Sequence, residues 1–486
     1  MKKLFVQTNE LDERATLELG LSGEILMENA ASKIANLIRK KFKKGSKILG
    51  VAGSGNNGAD VIAALRMLYG DYDTEIFLCK EELGELAKKQ FLAAQKVGVK
   101  RIYEIEGFKS GTHLIKDDKF IPTKKQNIKC VIDGIFGSGL SRELDDGYIE
   151  IINALNDIKS YKIACDVPSG LDKNGKILGA CFRADVTVTM GARKLGLYSD
   201  AAKNFTGKIK VARLGVSDKI FQTQTQNFLL EKSDMKLPFR DDKNVNKGNF
   251  GHIFVMVGEH EGAARMSALA ASAMGAGLVS VISDEKILTL DDKLMQSKDV
   301  SEKMNAGAVG MGLGKQGIQK LDFEVLKRKS LVLDADMCHE PRTIELLRAN
   351  KNIVITPHPK EFSSLLNLAG FGELEVGKIQ EDRFCLARKF SLEFKCVLLL
   401  KGANTIIAQD GKIYVMRYGT SALAKGGSGD VLSGLIVGLL AQGYTPLDAA
   451  ITASLAHALS ARKFKAANYA LSPKDIIKGV KCLRKK

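Results

Sequence analysis

The sequence predicts two fused α/β domains, each a parallel sheet covered by helices in a three-layer arrangement. Three observations carry this. Strand-like apolar runs alternate with helical patterns through both halves of the 486 residues. The alternation lapses at one polar stretch, Gln222-Thr-Gln-Thr-Gln-Asn227. The apolar runs end in turns rich in glycine and acids, and parallel sheets place their sites at those carboxyl ends. The halves share no motif, so they are separate domains joined together and not a duplication. The domains are expected at 1–216 and 235–486, with a linker at 217–234.

In the first half, residues 24–42 read as a long helix whose Ile25, Met27, Ala30, Ala31, Ile34 and Ile38 mark a buried stripe. Strand 47–52 then leads into Gly53-Ser-Gly-Asn-Asn-Gly-Ala-Asp60 and a helix over 61–68. Gly53, Gly55 and Gly58 have the G-x-G-x-x-G spacing of a dinucleotide-binding, Rossmann-like turn. That turn also wants an acid ending the next strand, yet Glu75 opens strand 74–78 and Glu81 comes late. Asn56, Asn57 and Asp60 make the loop more polar than a pyrophosphate cradle requires. Further strands fall near Val131, Ile163 and Val186, and 208–214 closes the half. Two of them run into Asp133-Gly-Ile-Phe-Gly-Ser-Gly-Leu-Ser-Arg-Glu143 and Asp166-Val-Pro-Ser-Gly-Leu-Asp172.

The second half resumes with strand 252–257, a helix over 263–274, strand 278–282 and strands near Val309, Leu331 and Val354. Another strand, 397–400, runs into Lys401, and Asp410-Gly411 between apolar runs marks a hairpin within 404–417. Helices over 430–441 and 446–464 close the chain, packed through Leu435, Leu439, Ala450, Leu455 and Leu459. The loop Thr420-Ser-Ala-Leu-Ala-Lys-Gly-Gly-Ser-Gly-Asp430 feeds the first of them. Unpaired N–H groups at a helix start, in glycines that admit a ligand to the backbone, bind phosphate oxygens, and the helix dipole adds to the attraction. Asp430 would lie beside a bound phosphate, placed to take the proton of an attacking hydroxyl. The plainer reading is a capped helix in which Asp430 only complements the dipole.

Composition narrows the function classes. The 45% hydrophobic and 27% charged residues are ordinary for a globular protein. A formal charge of +17 suggests nucleic acid, but the basic residues are scattered over 39–44, 124–125, 327–329 and 483–486, with Phe42 the one aromatic among them and no Trp. A solvated basic surface that attracts anionic nucleotides fits better than a dedicated nucleic-acid site. The eight cysteines form no C-x-x-C pair and fall largely in apolar runs, as buried thiols of a reducing compartment do. The opening Met-Lys-Lys-Leu-Phe-Val resembles a signal peptide's start, but residues 7–10 end the apolar stretch, and no run is long enough to span a membrane. A cytoplasmic enzyme is expected. A homo-oligomer is compatible with this reading, although no segment specifies one.

The glycine loop has company along the second half. Asn246-Lys-Gly-Asn-Phe-Gly251, Leu333-Asp-Ala-Asp336, Ile355-Thr-Pro-His-Pro-Lys-Glu361 and Lys401-Gly-Ala-Asn-Thr405 precede it in order. Together they resemble the ribokinase-like family of ADP- or ATP-dependent NAD(P)H-hydrate dehydratases over roughly 235–480, which implies a ribokinase-like three-layer fold for that domain. The first-half loops are similar to those of the NAD(P)H-hydrate epimerases over roughly 1–215. The fusion suggests a bifunctional hydrate-repair enzyme.

The resemblance implies a dihydronicotinamide cofactor hydrated at ring carbon C6 as substrate, and site residues in both domains. Asp430 would be the base in dehydration, with Gly312, Gly314, His358 and Glu361 lining the hydrate. Lys401, Gly402, Ala403, Asn404 and Thr405 would contact the nucleotide, and Gly426, Gly427, Ser428 and Gly429 would hold the transferred phosphoryl group. Magnesium is expected between the phosphate oxygens, without a named ligand. Asp334 and Asp336 either hold metal, shape the nucleotide pocket or cap a helix. The resemblance points to ADP as donor, although the residues alone do not separate it from ATP. In the first domain Asn57, Asp133 and Ser169 match potassium ligands, and Asp166 matches the acid/base at the epimerising carbon. Asn56, Asn57, Gly58, Ala59 and Asp60 match cofactor-binding positions, as do Gly137, Ser138, Gly139, Leu140, Ser141, Arg142 and Glu143. Ala59 stands where the epimerases have glycine, Ala422 and Lys425 replace an expected glycine and threonine, and Gly258-Glu-His-Glu-Gly262 is short. Two other readings remain: a ribokinase-like kinase of a small vitamin-type alcohol, and a non-catalytic nucleotide- or RNA-binding protein.

Overall fold

The computed structural model describes residues 1–103 and 127–484; Lys124, Lys125, Lys485 and Lys486 of the basic clusters lie outside them. Two compact units emerge, Lys3–Thr225 and Gln226–Lys486, the second also taking Met1 and Lys2, the latter the first residue of the short strand β1 (Lys2–Leu4).

The first unit is built on seven parallel strands: β2 (Lys47–Ala52), β3 (Asp73–Leu78), β4 (Lys100–Ile102), β5 (Ile128–Gly134), β6 (Tyr161–Cys165), β7 (Val186–Met190) and β8 (Lys208–Ala212). Their order is β4-β3-β2-β5-β6-β7-β8. Strand alternation sends neighbouring side chains to opposite faces, so a sheet buried on both sides needs apolar residues at every position. Strand β2 shows this. Ile48 and Ala52 join Ile34, Ile62 and Ala94 from the helices Gly23–Lys41, Asn56–Leu68 and Glu85–Val97. Leu49 and Val51 pack with Ile151 and Leu155 of helix Asp146–Asp157 on the other face. The chain winds outward from β2 in one direction and from β5 in the other, which makes the carboxyl ends of β2 and β5 a topological switch point.

In the second unit the strands are β9 (Asn227–Leu229), β10 (His252–Met256), β11 (Leu278–Ile282), β12 (Met295–Ser297), β13 (Ala306–Val309), β14 (Ser330–Leu333), β15 (Ile353–Ile355), β16 (Val397–Leu400), β17 (Thr405–Gln409) and β18 (Lys412–Met416). They run β9-β18-β17-β16-β15-β14-β13-β10-β11-β12. The pairs from β12 across to β16 are parallel, and β17 turns back antiparallel through Asp410 (φ 48°) and Gly411 (φ 73°), the hairpin expected from that dipeptide. Val255, Val281, Ala308, Val332 and Val397 face a core shared with helices Glu261–Ala273, Ser428–Ala441, Pro446–Arg462 and Pro473–Lys481. Across the sheet, helices Pro359–Leu368 and Arg383–Phe394 bring Phe362 and Phe390 edge to face at 5.6 Å. Both units are therefore three-layer α/β structures.

The expected linker at 217–234 is folded into both units. Helical turn Asp218–Phe221 buries Phe221 in the first core, while Asn227–Leu229 pairs with β18 and Leu230 is fully buried in the second. The reason is that Phe221, Phe228, Leu229 and Leu230 punctuate an otherwise polar sequence, and each finds a core. The division falls between Thr225 and Gln226.

Candidate active sites

In the first unit, Asp166 follows β6 in the left-handed region (φ 65°), a conformation a short polar side chain tolerates. This turn aims its carboxylate at β7 and the loop beyond. Asp166 Oδ1 accepts from Met190 N–H at 3.0 Å, Thr189 Oγ1 at 3.3 Å and Lys194 Nζ at 2.5 Å. Ser138 N–H reaches Oδ2 at 3.4 Å. Lys194 is only 2% exposed. Burial pushes the Asp166 carboxyl up, but the Lys194 ammonium and these hydrogen bonds outweigh it and hold the pKa below the ordinary value.

Beside it, the fully buried Asp133 at the end of β5 accepts Ser169 Oγ at 2.6 Å, Ser169 N–H at 2.8 Å and Ile135 N–H at 3.2 Å. Burial still pushes its pKa up to about 6. Asn57 Nδ2 donates to the Phe136 carbonyl at 2.8 Å, and its Oδ1 is buried without a partner among the described residues. A cavity of about 510 Å³ opens at the switch point between β2 and β5, with Asn56, Asn57, Asp60, Asp166 and Lys194 in its wall. Gly137, Ser138, Gly139, Leu140, Ser141 and Arg142 also line it, as do Thr8 and Asp12.

Of the expected positions, the fully buried Asp133 and Ser169 lie behind this cavity and not in its lining, and three cofactor-binding positions do not line it either. Gly58 and Ala59 are buried in the first turn of helix Asn56–Leu68, where a Cβ on Gly58 would come 2.1 Å from the Gly53 carbonyl oxygen. Their role is tight packing of turn against helix, which Ala59 serves as well as glycine. Glu143 points into solvent, its side chain 65% exposed and 4.0 Å from Lys176. Two other residues escaped sequence reasoning. Lys194 stands in the short loop after β7, immediately before the buried run Leu195–Tyr198, and a lysine next to such an apolar run was the available signal. Asp12 sits on helix Asn9–Leu17 and is pushed up to about 6, by burial first and then by Asp166, against Lys194.

In the second unit the motifs converge on an ion pair. Asp334 follows β14 and Lys401 follows β16, and their side chains meet at 2.6 Å. The Asp334 carboxylate, 3% exposed, also accepts Ser433 Oγ at 2.8 Å and Ala335 N–H at 2.9 Å. Glu361 lies 3.8 Å from Lys401. Burial works against the Lys401 ammonium, yet Asp334 and Glu361 outweigh it and raise its pKa. Glu361 closes a capping box with His358: the Glu361 N–H donates to His358 Nδ1 at 3.1 Å, and the carboxylate accepts the His358 N–H at 2.7 Å.

Above this pair sits the glycine loop. Gly427 has φ 85°, and a Cβ there would lie 2.7 Å from Pro473 Cγ, so glycine is required. Ser428 N–H turns back to Lys425 at 3.2 Å and Val431 N–H to Gly427 at 3.2 Å. Among the described residues the N–H groups of Gly429 and Asp430 have no acceptor, as a helix start that receives an anion would. A Cβ on Gly429 would stand 3.5 Å from Lys401 Nζ and 3.9 Å from Asp334 Oδ2, which fixes the loop over the ion pair. The pKa of Asp430 is raised by burial first and by Asp334 second, with Lys401 opposing. Beneath the loop, the 7%-exposed His457 holds Nε2 at 3.0 Å from the Ser428 carbonyl and 3.2 Å from its Oγ. Its pKa is driven down to about 4 by burial, so the ring is neutral.

The structure thus brings His358, Glu361, Lys401, Gly429 and Asp430 together. Gly402 and Ala403 are exposed beyond Lys401, whereas Asn404 and Thr405 are buried as β17 begins, Thr405 pairing with Met416. Gly312 and Gly314 adopt positive φ, but the room they leave is filled by the chain's own loop, with His260 and Glu259 where their Cβ atoms would be. Asp336 accepts the Gly314 N–H at 2.8 Å, so it shapes this loop. The Asn246–Gly251 turn packs at the far end of helix Ser428–Ala441, where a Cβ on Gly251 would lie 2.2 Å from the Ala441 carbonyl oxygen. Lys425 reaches the Tyr469 carbonyl at 3.2 Å and faces away from the ion pair. A second cavity of about 510 Å³, at the ends of β10 and β11, contains none of the expected residues.

Comparison with known proteins agrees with both halves. Residues 253–481 match the NAD(P)H-hydrate dehydratase family model, and 23–196 match that of the YjeF-related protein N-terminus. The chain is 41% identical over 490 residues to the bifunctional NAD(P)H-hydrate repair enzyme Nnr of Helicobacter pylori, covering 99% of this chain and 100% of that one. It is 30% identical to the Nnr of Dictyoglomus turgidum, over 97% and 96% of the two chains. An ADP/ATP-dependent NAD(P)H-hydrate dehydratase from Bacillus subtilis, crystallised with ATP and Mg2+, is 24% identical and covers 50% of this chain and 91% of that one, with a TM-score of 0.44. The chain belongs to the family of bifunctional NAD(P)H-hydrate repair enzymes.

Proposed function

We propose that the first unit inverts the C6 hydrate of NADH or NADPH at the cavity around Asp166, and that the second dehydrates the S epimer at the loop over Lys401, spending ADP. The observation that carries the second half is the position of Gly429 over the Asp334–Lys401 pair, with Asp430 next along the helix start and within electrostatic reach of both. Hydroxide is a poor leaving group, so the hydroxyl must first become an ester. Asp430, its pKa raised, takes the C6 hydroxyl proton as that oxygen attacks the terminal phosphorus of ADP. The N–H groups of Gly429 and Asp430, with the Lys401 ammonium, hold the transferring phosphoryl group, and AMP departs. The ring nitrogen's lone pair then expels phosphate and the C5 proton is lost, restoring the dihydronicotinamide. Gly426, Gly427 and Ser428 form the rest of the phosphate cradle, while His358 and Glu361 line the hydrate. Magnesium, when bound, neutralises nucleotide phosphates.

Asn57, Asp133 and Ser169 fit a potassium ion, since hard cations take oxygen donors and Asn57 Oδ1 is a buried oxygen lacking a partner. The ion would supply a fixed positive charge in the cavity wall. Asn56, Asp60 and the 137–142 loop would hold the cofactor. All eight cysteines are free thiols, which suits a cytoplasmic enzyme. Among the described residues no helix is long and apolar enough to cross a membrane. The test is incubation of a mixture of hydrate epimers with the protein and ADP, following dihydronicotinamide absorbance and resolving the epimers. Recovery of NADH from both epimers is expected, whereas a stable phosphorylated alcohol with no NADH would replace this reading with a kinase.

A further inference from the structure

We infer that Lys194 is the catalytic acid of the epimerase unit, paired with Asp166 as base, and that the pair inverts C6 by opening and reclosing the ring rather than by losing and regaining water. The inference rests on the reading of Asp166 as the group that faces C6.

Lys194 is too costly a residue to bury for packing alone, and no other cation contacts Asp166 among the hydrogen bonds and ion pairs described. Its position is enforced from both sides. Phe5 N–H donates to the Arg193 carbonyl at 2.9 Å and Leu195 N–H to the Phe5 carbonyl at 2.7 Å, so the backbone at Lys194 is clamped. Thr189 Oγ1 and the Met190 carbonyl lie 3.3 and 3.4 Å from Nζ, which aims the ammonium at Asp166 within the cavity wall. Asp12 and Asp60 share that cavity. Burial, the largest cause, raises the pKa of both, with Asp166 adding to it and Lys194 opposing it, so Asp166 is the partner that holds the ammonium.

The spacing selects the chemistry. The oxygen and nitrogen of a hemiaminal sit on one carbon, two single bonds of about 1.45 Å placing them roughly 2.4 Å apart. An acid and a base 2.5 Å apart can therefore serve both atoms from one side of the ring. Loss of water and its return to the opposite face would instead need groups on both faces. In the opening step Asp166 takes the hydroxyl proton, and the O–H electron pair becomes the second C6–O bond. The C6–N1 pair goes to nitrogen, which takes a proton from Lys194. A C6 aldehyde and an open-chain enamine result, with no change of oxidation state. Rotation about the adjoining C–C bond presents the other aldehyde face. Reclosure then runs the same transfers backward.

The experiment uses the full-length protein without ADP, so that inversion proceeds alone, in water enriched in oxygen-18 and with enzyme-free controls. The epimers are separated and weighed by mass spectrometry. Retention of the original oxygen through most inversions is expected; one solvent oxygen gained per inversion would overturn the ring-opening step. Lys194→Arg keeps a cation beside Asp166 but does not give up its proton, so inversion should fall about 10²-fold or more. A parental rate in Lys194→Arg would mean that the lysine only holds Asp166 in place, and would overturn the acid role. Asp166→Asn run alongside separates the two ideas, because a parental rate there removes Asp166 itself.

Discussion

Replacing Lys401 by Met should destabilise the second unit by about 2–3 kcal/mol, and the number follows from what is left behind. The Asp334 carboxylate is 3% exposed and loses a partner at 2.6 Å. Removing one member of a buried ion pair costs about 3–5 kcal/mol, because the remaining charge is stranded. Two features reduce that figure: Asp334 keeps Ser433 Oγ and Ala335 N–H, and the Lys401 side chain is 23% exposed, so water reaches the site. For a unit of this size each kcal/mol moves Tm by about 2–4 °C, so a fall of about 4–12 °C is expected. The measurement is calorimetric unfolding of the full chain, the second unit's transition being the one that ADP shifts. Asp334→Asn combined with Lys401→Met should regain more than half of the loss, since the stranded charge is gone. A Tm within about 1 °C of the parent in Lys401→Met would refute the reasoning.

Other outcomes follow from the same geometry. The raised pKa of Asp430 means that dehydration should fall with decreasing pH at a point above the ordinary carboxylate value; Lys401→Met, which removes the opposing charge, should move that limb higher, and a limb moving down would contradict this. His457 has its folded pKa lowered to about 4, so the unfolded chain binds the extra proton first and stability drains away as pH falls from about 6.5 to about 4. His457→Phe should lose less stability over that window, and the KM for ADP should rise more than kcat falls because Ser428 loses its partner. Asn57→Ala should abolish any difference between potassium and lithium in epimerisation while leaving dehydration of the S epimer intact. Chains 3–225 and 226–486 expressed separately should each be soluble and retain one activity; aggregation of either alone would show that the units depend on each other.

The sequence displays what is local and hides what is distant. Strand alternation, the Asp410-Gly411 hairpin and the glycine loop into Ser428–Ala441 follow from short-range periodicity and turn chemistry, and all are in the fold. The contact between Asp334 and Lys401 spans 67 residues and exists only because β14 and β16 flank β15, which no spacing reveals. Lys194 is hidden for the same reason, lying 28 residues from Asp166 on the adjacent strand's loop. His457 lies within the apolar helix Pro446–Arg462, and only the fold places it under Ser428. Glu143 misled in the opposite direction, because it continues a glycine-rich loop whose end turns into solvent. The linker-like polarity of 217–234 concealed four apolar residues that dock on the two cores.

The central claim is that two independent sites act in turn, Asp166 serving inversion and Asp430 serving dehydration. It is tested most directly by progress curves for a mixture of hydrate epimers with ADP, comparing the parent with Asp166→Asn and Asp430→Asn. The parent should convert everything in one phase. Asp166→Asn should show a fast phase for the S epimer, then a slow phase limited by uncatalysed inversion. Asp430→Asn should form NADH about 10²-fold more slowly or worse while still equilibrating the epimers. A single parental phase in Asp166→Asn, or dehydration by Asp430→Asn within a few-fold of the parent, would contradict the assignment.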